Sequence, residues 1–403
     1  MSKRQVPKWR DLKTMIGFHS PTFPSSSTRL ADALTISDLR TSARRRTPRS
    51  VFDYVDGAAE AEVSLGRARR LFRDLEFEPS VLRDVSVSNL EVTSLGRTSS
   101  LPFALAPTGF TRMMNPEGEE AVARSAARHD IAYALSTLGT TSIEDVARAA
   151  PEARKWFQLY VWRDRAFGTD LVHRAREAGY EALILTVDVP VAGARLRDVR
   201  NGFSIPPNLT PKALAGMAVH PAWWANLLTS APLEFASLTS WDGTVAELID
   251  QLFDPTMTVD DLAWLRSIWS GPLVVKGIQT VADAIRVADA GADVVLLSNH
   301  GGRQLDRAPV PLRLVPDTVE AVGDRAEVWV DTGIMNGADI LACHALGADN
   351  VLVGRAYLYG LMAGGERGVD RCIEILETEI RRTLKLLGVT SVEDLQPAHV
   401  RLP

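Results

Sequence analysis

Short, uninterrupted apolar runs return along the chain, each closed by glycine, proline or a polar residue. The first four occupy 101–107, 131–137, 156–161 and 182–188, and the next four 273–277, 294–298, 328–331 and 351–354. Such runs lack the alternation of a half-exposed strand and suit parallel strands covered on both faces. Between them, apolar residues recur at helical spacing, which predicts helices near 117–129, 142–149, 165–178, 281–290 and 337–346. Strand and helix alternating over eight strands predict an α/β fold, a closed (β/α)8 TIM barrel. An open doubly wound sheet is the competitor, but no glycine-rich dinucleotide turn follows the first strand.

Other segments flank or interrupt this pattern. Phe52, Val55, Ala59, Val63 and Leu65 give 50–71 a helical face broken near Gly57, and Thr35 to Arg40 reads as a helix start, so an N-terminal helical extension is expected. Residues 1–35, rich in Ser, Pro and Arg, predict an extended arm. That leaves 36–403 as one domain, with a barrel core over about 101–365 and one long amphipathic helix over 366–387. The connection from Val189 to about Pro272 far exceeds the roughly two to six residues of an ordinary α/β loop, and predicts a long β4–β5 insertion or lid. Within 212–241, Met217, Val219, Trp223, Trp224, Leu227, Leu228, Leu233 and Phe235 lie among few charges. Membrane contact, subunit contact and internal packing all stay open for this stretch, because Pro221 and Pro232 interrupt its period.

The 403 residues are 46% hydrophobic and 24% charged, a globular mixture that excludes wholesale disorder. Lys+Arg 45 against Asp+Glu 50 leaves a net charge of −5, so no global field holds a nucleic-acid backbone. Cys343 and Cys372 are the only cysteines, which excludes a disulfide scaffold, fits a reducing compartment and gives no metal site. No apolar segment follows the basic N-terminus, so no secretory signal is expected. Nor does any run reach the roughly 18 apolar residues of a spanning helix.

A barrel gathers the C-terminal ends of its strands around one opening. Here those ends carry Thr108, Ser136, Gln158 with Tyr160, Thr186 with Asp188, Lys276, Ser298 with His300, Asp331, and Gly354 with Arg355. His300 follows the apolar run 294–297 on a glycine turn, and imidazole is well matched to removing a proton near neutral pH. Arg303 and Arg195, both on loops after strands, are forks suited to holding a carboxylate. Asp188 needs a partner if buried, and a protonated His300 would supply it. Together these favour a small hydroxy- or oxo-acid. The bland readings are a turn-capping histidine, a loop salt bridge for Arg195 among Arg197, Asp198 and Arg200, and a structural acid at 188. Lys276 would stabilise negative charge beside an electron-rich ring, or serve as the Schiff-base nucleophile of an aldolase. Asp331-Thr332-Gly333 and Val353-Gly354-Arg355 fit a phosphate seat after strands seven and eight.

Asp53-Tyr54, Ala106-Pro107-Thr108-Gly109, Phe157-Gln158-Leu159-Tyr160, Thr186-Val187-Asp188, Val275-Lys276-Gly277, the motif from Ser298 to Asp306, and Gly354-Arg355 follow one another in order. In this set the chain resembles the FMN-dependent 2-hydroxy-acid dehydrogenases and oxidases from about Thr35 to its end, and most of all their quinone-reducing, lactate-oxidising bacterial branch. The resemblance implies FMN on the barrel's upper face, with Pro107, Thr108 and Gly109 near the ring by backbone. It puts Ser136, Gln158, Thr186 and Lys276 on the ring's polar edge, Gly354 and Arg355 on the phosphate, and Ser298, Asp331 and Gly333 in the same cofactor set. His300 is implied as base, Asp188 as its partner, Arg303 and Arg195 as the carboxylate clamp, and Tyr54 and Tyr160 as substrate contacts.

The implied reaction oxidises L-lactate, or a similar L-2-hydroxy acid, to pyruvate or the matching 2-oxo acid, with hydride passing to FMN and electrons to a quinone. A carbanion route would use the same residues. The implied setting is a homotetramer on the cytoplasmic side of the inner membrane, held peripherally, and the Trp223-Trp224 stretch offers a means of approaching the bilayer. Alternatives are an oxidase or lactate monooxygenase using O2, a longer-chain or mandelate dehydrogenase, a Schiff-base aldolase, and a non-catalytic interaction protein. The chain departs from the family pattern at Met335, where relatives usually place a second phosphate-binding arginine. Arg355, backbone amides and a helix N-terminus near Asn336 are left to hold the phosphate. Leu138 and Ala192 stand where some relatives carry a bulky aromatic and a leucine, which widens the opening for a longer substrate.

Overall fold

The computed structural model describes residues 8–9, 30–202, 219–238 and 254–403. Eight strands close a parallel barrel: β1 (Ala104–Leu105), β2 (Ala132–Ser136), β3 (Arg154–Leu159), β4 (Ala182–Thr186), β5 (Leu273–Ile278), β6 (Val294–Leu297), β7 (Glu327–Val330) and β8 (Asn350–Val353), with β8 pairing back onto β1. This is the TIM barrel that the apolar runs predict. β1 is only two residues long, between Pro102 and Pro107, since proline has no N–H to give a ladder. The barrel interior pairs two large rings with many alanines: Trp156 and Trp329 stack at 4.7 Å, while Ala104, Ala132, Ala134 and Ala182 make room around them.

Register brings the polar strand ends together. Ser136 lies opposite Gln158, and Thr186 opposite Lys276. The ladder slips between Lys276 and Ile278, at Gly277, whose φ is +107°. A Cβ at Gly277 would lie 2.7 Å from the Cβ of Asp188, so only glycine leaves room for that acid.

The N-terminal extension begins with the helix Ile36–Arg46, where Thr35 and Asp38 form a capping box. It continues as Arg49–Asp56 and Val63–Asp74, with the expected break at Gly57. Asp56 is the knot of this region: it accepts from Arg40 at 2.6 and 2.9 Å, from Arg197 at 3.1 Å and from Tyr359 Oη at 2.8 Å. The amphipathic helix Glu366–Leu387 buries Val369, Ile373, Leu376, Ile380 and Leu384 and stops at Gly388, in the left-handed conformation. Cys343 and Cys372 are buried and unpaired.

The insertion after β4 contains the helices Leu196–Asn201 and Pro221–Thr229. Most of the expected N-terminal arm and residues 212–218 and 239–241 of the low-charge stretch, Met217 among them, lie outside the described residues. Of the readings left open for this stretch, Trp223 takes internal packing. It is 8% exposed, and its indole donates to Met113 O at 2.9 Å. Phe235 likewise packs edge-on against Phe110 at 4.6 Å, and Arg112 holds Ala231 O at 2.6 Å. The face turned to solvent instead presents Val219 and Leu228, 73% and 75% exposed. Among the described residues no helix is long and apolar enough to cross a membrane.

Candidate active site

The loop after β6 turns through three consecutive left-handed residues, His300, Gly301 and Gly302, with φ of 57°, 65° and 76°. Glycine accepts this freely and histidine does not. The His300 amide is fastened to Ser298 Oγ at 3.0 Å, and the Gly302 amide to Asn299 Oδ1 at 2.9 Å. This turn sets His300 Nδ1 3.1 Å from Asp188 Oδ1. The Asp188 side chain is almost wholly buried, and its other carboxylate oxygen has no hydrogen-bond partner. Burial by itself raises its pKa, but the charges of His300 and Lys276 and the hydrogen bond from His300 outweigh that and leave it below the ordinary carboxylate range. An ionised acid therefore faces one ring nitrogen, which assigns Nδ1 the proton and leaves Nε2 as the basic position.

Arg303 leaves the same loop and is enclosed. It donates to Tyr54 O at 2.5 Å and Gly57 O at 3.3 Å, and its guanidinium lies over the Tyr54 ring at 4.9 Å. Arg195 covers the same ring at 5.5 Å. Burial first, and then Arg195, bring the pKa of Arg303 down to about 10, so it is still a cation at neutral pH. Arg195 also sits 3.7 Å from Asp198, so it makes the loop contact while lining the cleft with Arg303. Burial, then the charge of Asp188, push the Tyr160 phenol up, and it stays a neutral hydroxyl.

Across the opening, Ser136 Oγ donates to Gln158 Oε1 at 3.0 Å, while Gln158 Nε2 and Thr186 Oγ1 are buried with no partner. Lys276 Nζ donates to Ser298 Oγ at 2.8 Å and pairs with Asp331 at 3.1 Å. Buried polar groups without partners are costly, and here two of them border a cleft. Pro107, Thr108 and Gly109 line the same cleft. An unpaired amide donor, an unpaired hydroxyl and an ammonium fit the carbonyl-rich edge of an isoalloxazine, and the residues present therefore suit FMN.

Gly333, Met335, Gly354 and Arg355 also line the cleft. Arg355 donates to Val55 O at 2.9 Å, Gly301 O at 2.9 Å and Gly57 O at 2.7 Å, and so ties the N-terminal extension to the His300 loop. The helix N-terminus at Asn336 differs from expectation. Asn336 caps it by accepting from the Asp339 amide, Asp339 takes the Met335 amide at 2.8 Å, and Glu379 takes the Gly337 amide at 2.8 Å, so three of the donors there are already used. The helix Arg355–Gly364 opens at Gly354 without a side-chain cap, and its amides are the ones fit for an anion. Asp331, expected with the phosphate seat, is committed to Lys276 and Thr332.

All the strand-end residues singled out in the sequence line this one cleft except Asp188 and Ser298, which stand behind it. Sequence reasoning quoted the stretches that hold Gly277, Asn299, Thr332, Gln304 and Phe235 but gave these five no site role of their own. Gln304 bonds Gly193 N at 3.1 Å and Asp188 O at 3.2 Å, and Phe235 brings the insertion to the cleft wall. Gln304 and Asn299 sit inside the conspicuous 298–306 motif, which was the available signal.

Comparison with known proteins gives a family and close relatives. The family model described as FMN-dependent dehydrogenase matches residues 43–402. The chain is 58% identical over 397 residues to a protein named putative L-lactate dehydrogenase of Mycobacterium tuberculosis, covering 98% of this chain and 96% of that one. An L-lactate dehydrogenase of Caulobacter vibrioides is 42% identical over 366 residues, 89% of this chain and 95% of its own length. Among solved structures, the monotopic membrane protein (S)-mandelate dehydrogenase aligns with a TM-score of 0.89 at 37% identity, covering 92% of this chain and 100% of that chain.

Proposed function

The chain belongs to the FMN-dependent dehydrogenase family, and from that premise we propose that it oxidises L-lactate, or an L-2-hydroxy acid of similar size, to the 2-oxo acid and passes the electrons to a membrane quinone. The observation that carries this reading is His300, paired from behind with Asp188 at 3.1 Å, lining the same cleft as Arg303, Arg195 and the unpartnered Gln158 amide and Thr186 hydroxyl.

Ser136, Gln158, Thr186 and Lys276 would hold the polar edge of FMN, the backbone of Pro107, Thr108 and Gly109 its ring, and Gly333, Gly354 and Arg355 its phosphate end. Ser298 and Asp331 fix the Lys276 ammonium from behind. FMN, when bound, supplies the two-electron acceptor for the C2 hydrogen of the substrate. Arg303 and Arg195 bind the substrate carboxylate and orient C2, while Tyr160 offers a neutral hydroxyl and Tyr54 a stacked ring beneath the clamp. His300 takes the hydroxyl proton at Nε2, and the imidazolium so formed is stabilised by ionised Asp188. A Schiff-base role for Lys276 is disfavoured, because its nitrogen is ion-paired with Asp331 where the chemistry needs a neutral amine.

The electron route rests on the relatives and on the insertion. The similar mandelate dehydrogenase is described as a monotopic membrane protein. In this chain 219–233 contains no Asp, Glu, Lys or Arg and turns Val219 and Leu228 outward, which suits peripheral contact with the cytoplasmic face of a lipid bilayer. The test is anaerobic mixing with each lactate enantiomer, followed by exposure of the reduced protein to a short-chain quinone analogue or to O2. L-Lactate is expected to bleach the flavin and D-lactate to leave it coloured, with reoxidation by quinone outpacing peroxide formation. Equal bleaching by both enantiomers, or peroxide as the main product, would overturn the reading.

A further inference from the structure

Thr332 has a φ of 78°, and it is the only β-branched residue with positive φ among those described. A β-branched side chain is strongly disfavoured there, so something must hold it. Its hydroxyl accepts from the Gly301 amide at 3.2 Å and has Asp331 Oδ1 at 2.7 Å and Asn299 Oδ1 at 3.1 Å as acceptors. One proton serves one acceptor, and the shorter contact assigns it to Asp331. A closed circuit results. Asp331 pairs with Lys276 at 3.1 Å, Lys276 donates to Ser298 Oγ, Ser298 Oγ accepts from the His300 amide, and the next amide, of Gly301, returns to Thr332.

We propose that Thr332 is a positioning residue that closes this hydrogen-bonded circuit and thereby holds the left-handed turn presenting His300 to Asp188. The role rests on the reading of His300 as the base. The circuit spans the ends of β5, β6 and β7, so the lysine on the cofactor edge and the imidazole on the substrate side are set by one shared network. The Thr332 hydroxyl is bonded to Gly301, Asp331 and Asn299 rather than to the His300 ring or Asp188, and it acts through the Gly301 amide. The hydroxyl is the operative group, since a methyl in its place would leave the Gly301 N–H and one oxygen of Asp331 unpaired.

The test uses the flavin-loaded full chain with Thr332→Ser, Thr332→Val and Thr332→Gly, and His300→Ala as reference. Hydrogen exchange at the Gly301 amide, measured without substrate, is expected to rise roughly tenfold or more in the valine and glycine variants and to stay near wild type in the serine variant. The limiting rate of anaerobic flavin bleaching by L-lactate should fall about tenfold or more in the same two variants, with KM nearly unchanged and serine restoring the rate. Glycine also relieves the positive φ, so its thermal midpoint should hold or rise while its rate falls, and it decides the matter if the valine variant folds poorly. Unchanged exchange at Gly301, or raised exchange with a wild-type bleaching rate, overturns the role of Thr332. Full bleaching by His300→Ala overturns instead the reading of His300, and the exchange result then judges the circuit alone.

Discussion

Arg303 is a cation enclosed by backbone carbonyls, a tyrosine ring and a second guanidinium, with its pKa brought down to about 10 by burial and by Arg195. Its charge is present below that value and lost above it, so KM for the substrate carboxylate is expected to rise as pH passes about 10. Arg303→Met should raise KM roughly 100-fold at neutral pH, the scale of losing one partner of an enclosed charge pair, and Arg303→Lys should not restore it. A steady-state KM within a few-fold of wild type for the methionine variant would remove Arg303 from the clamp. His300, Arg303 and Asp188 were legible because each closes or follows an apolar run in a recognisable motif. Thr332 and Gly277 were not. Their importance lies in backbone conformation and in contacts between loops from different strands, which residue type and spacing do not encode.

The insertion after β4 is the element whose role the sequence left most open. Prolines at 221 and 232 hid its helical period, and nothing local announced that Trp223 would find Met113 O beyond the end of β1. The buried and exposed sides of 219–229 now separate. Trp223→Ala should destabilise the fold by about 3 kcal/mol, read by denaturant unfolding, because it empties a buried indole site. Val219→Asp with Leu228→Asp should leave stability and anaerobic bleaching intact but lower cosedimentation with anionic lipid vesicles roughly tenfold. Undiminished cosedimentation would remove this face from membrane contact. The C-terminal helix, by contrast, was read to its ends, because its apolar spacing runs unbroken from Val369 to Leu384 and Gly388 stops it.

For the whole molecule, alternation of strand and helix made the barrel legible, whereas the ties between its parts came from charges far apart in sequence. Asp56 joins Arg40 of the first helix, Arg197 of the insertion and Tyr359 of the helix after β8. Burial raises its pKa, but the hydrogen bonds from Arg40 and Tyr359 and the charge of Arg40 outweigh that, and the folded value lies below the ordinary one. A depressed folded pKa means stabilisation that is full above the ordinary carboxylate range of about 4 and lost as pH falls through the folded value. Asp56→Asn is therefore expected to cost about 3 kcal/mol near pH 7, with the gap to wild type narrowing toward pH 3 in denaturant titrations. A gap independent of pH would show that the charge of Asp56 does not matter. The barrel exists, in this account, to bring an imidazole, a buried carboxylate and two guanidiniums against a flavin. Anaerobic stopped-flow mixing of L-lactate with the wild-type protein and with His300→Ala tests that most directly. Wild type should bleach, and the variant, still yellow and folded, should bleach about 1,000-fold more slowly, the scale of a lost general base. Comparable bleaching in both, or a protein that cannot take up FMN, would contradict it.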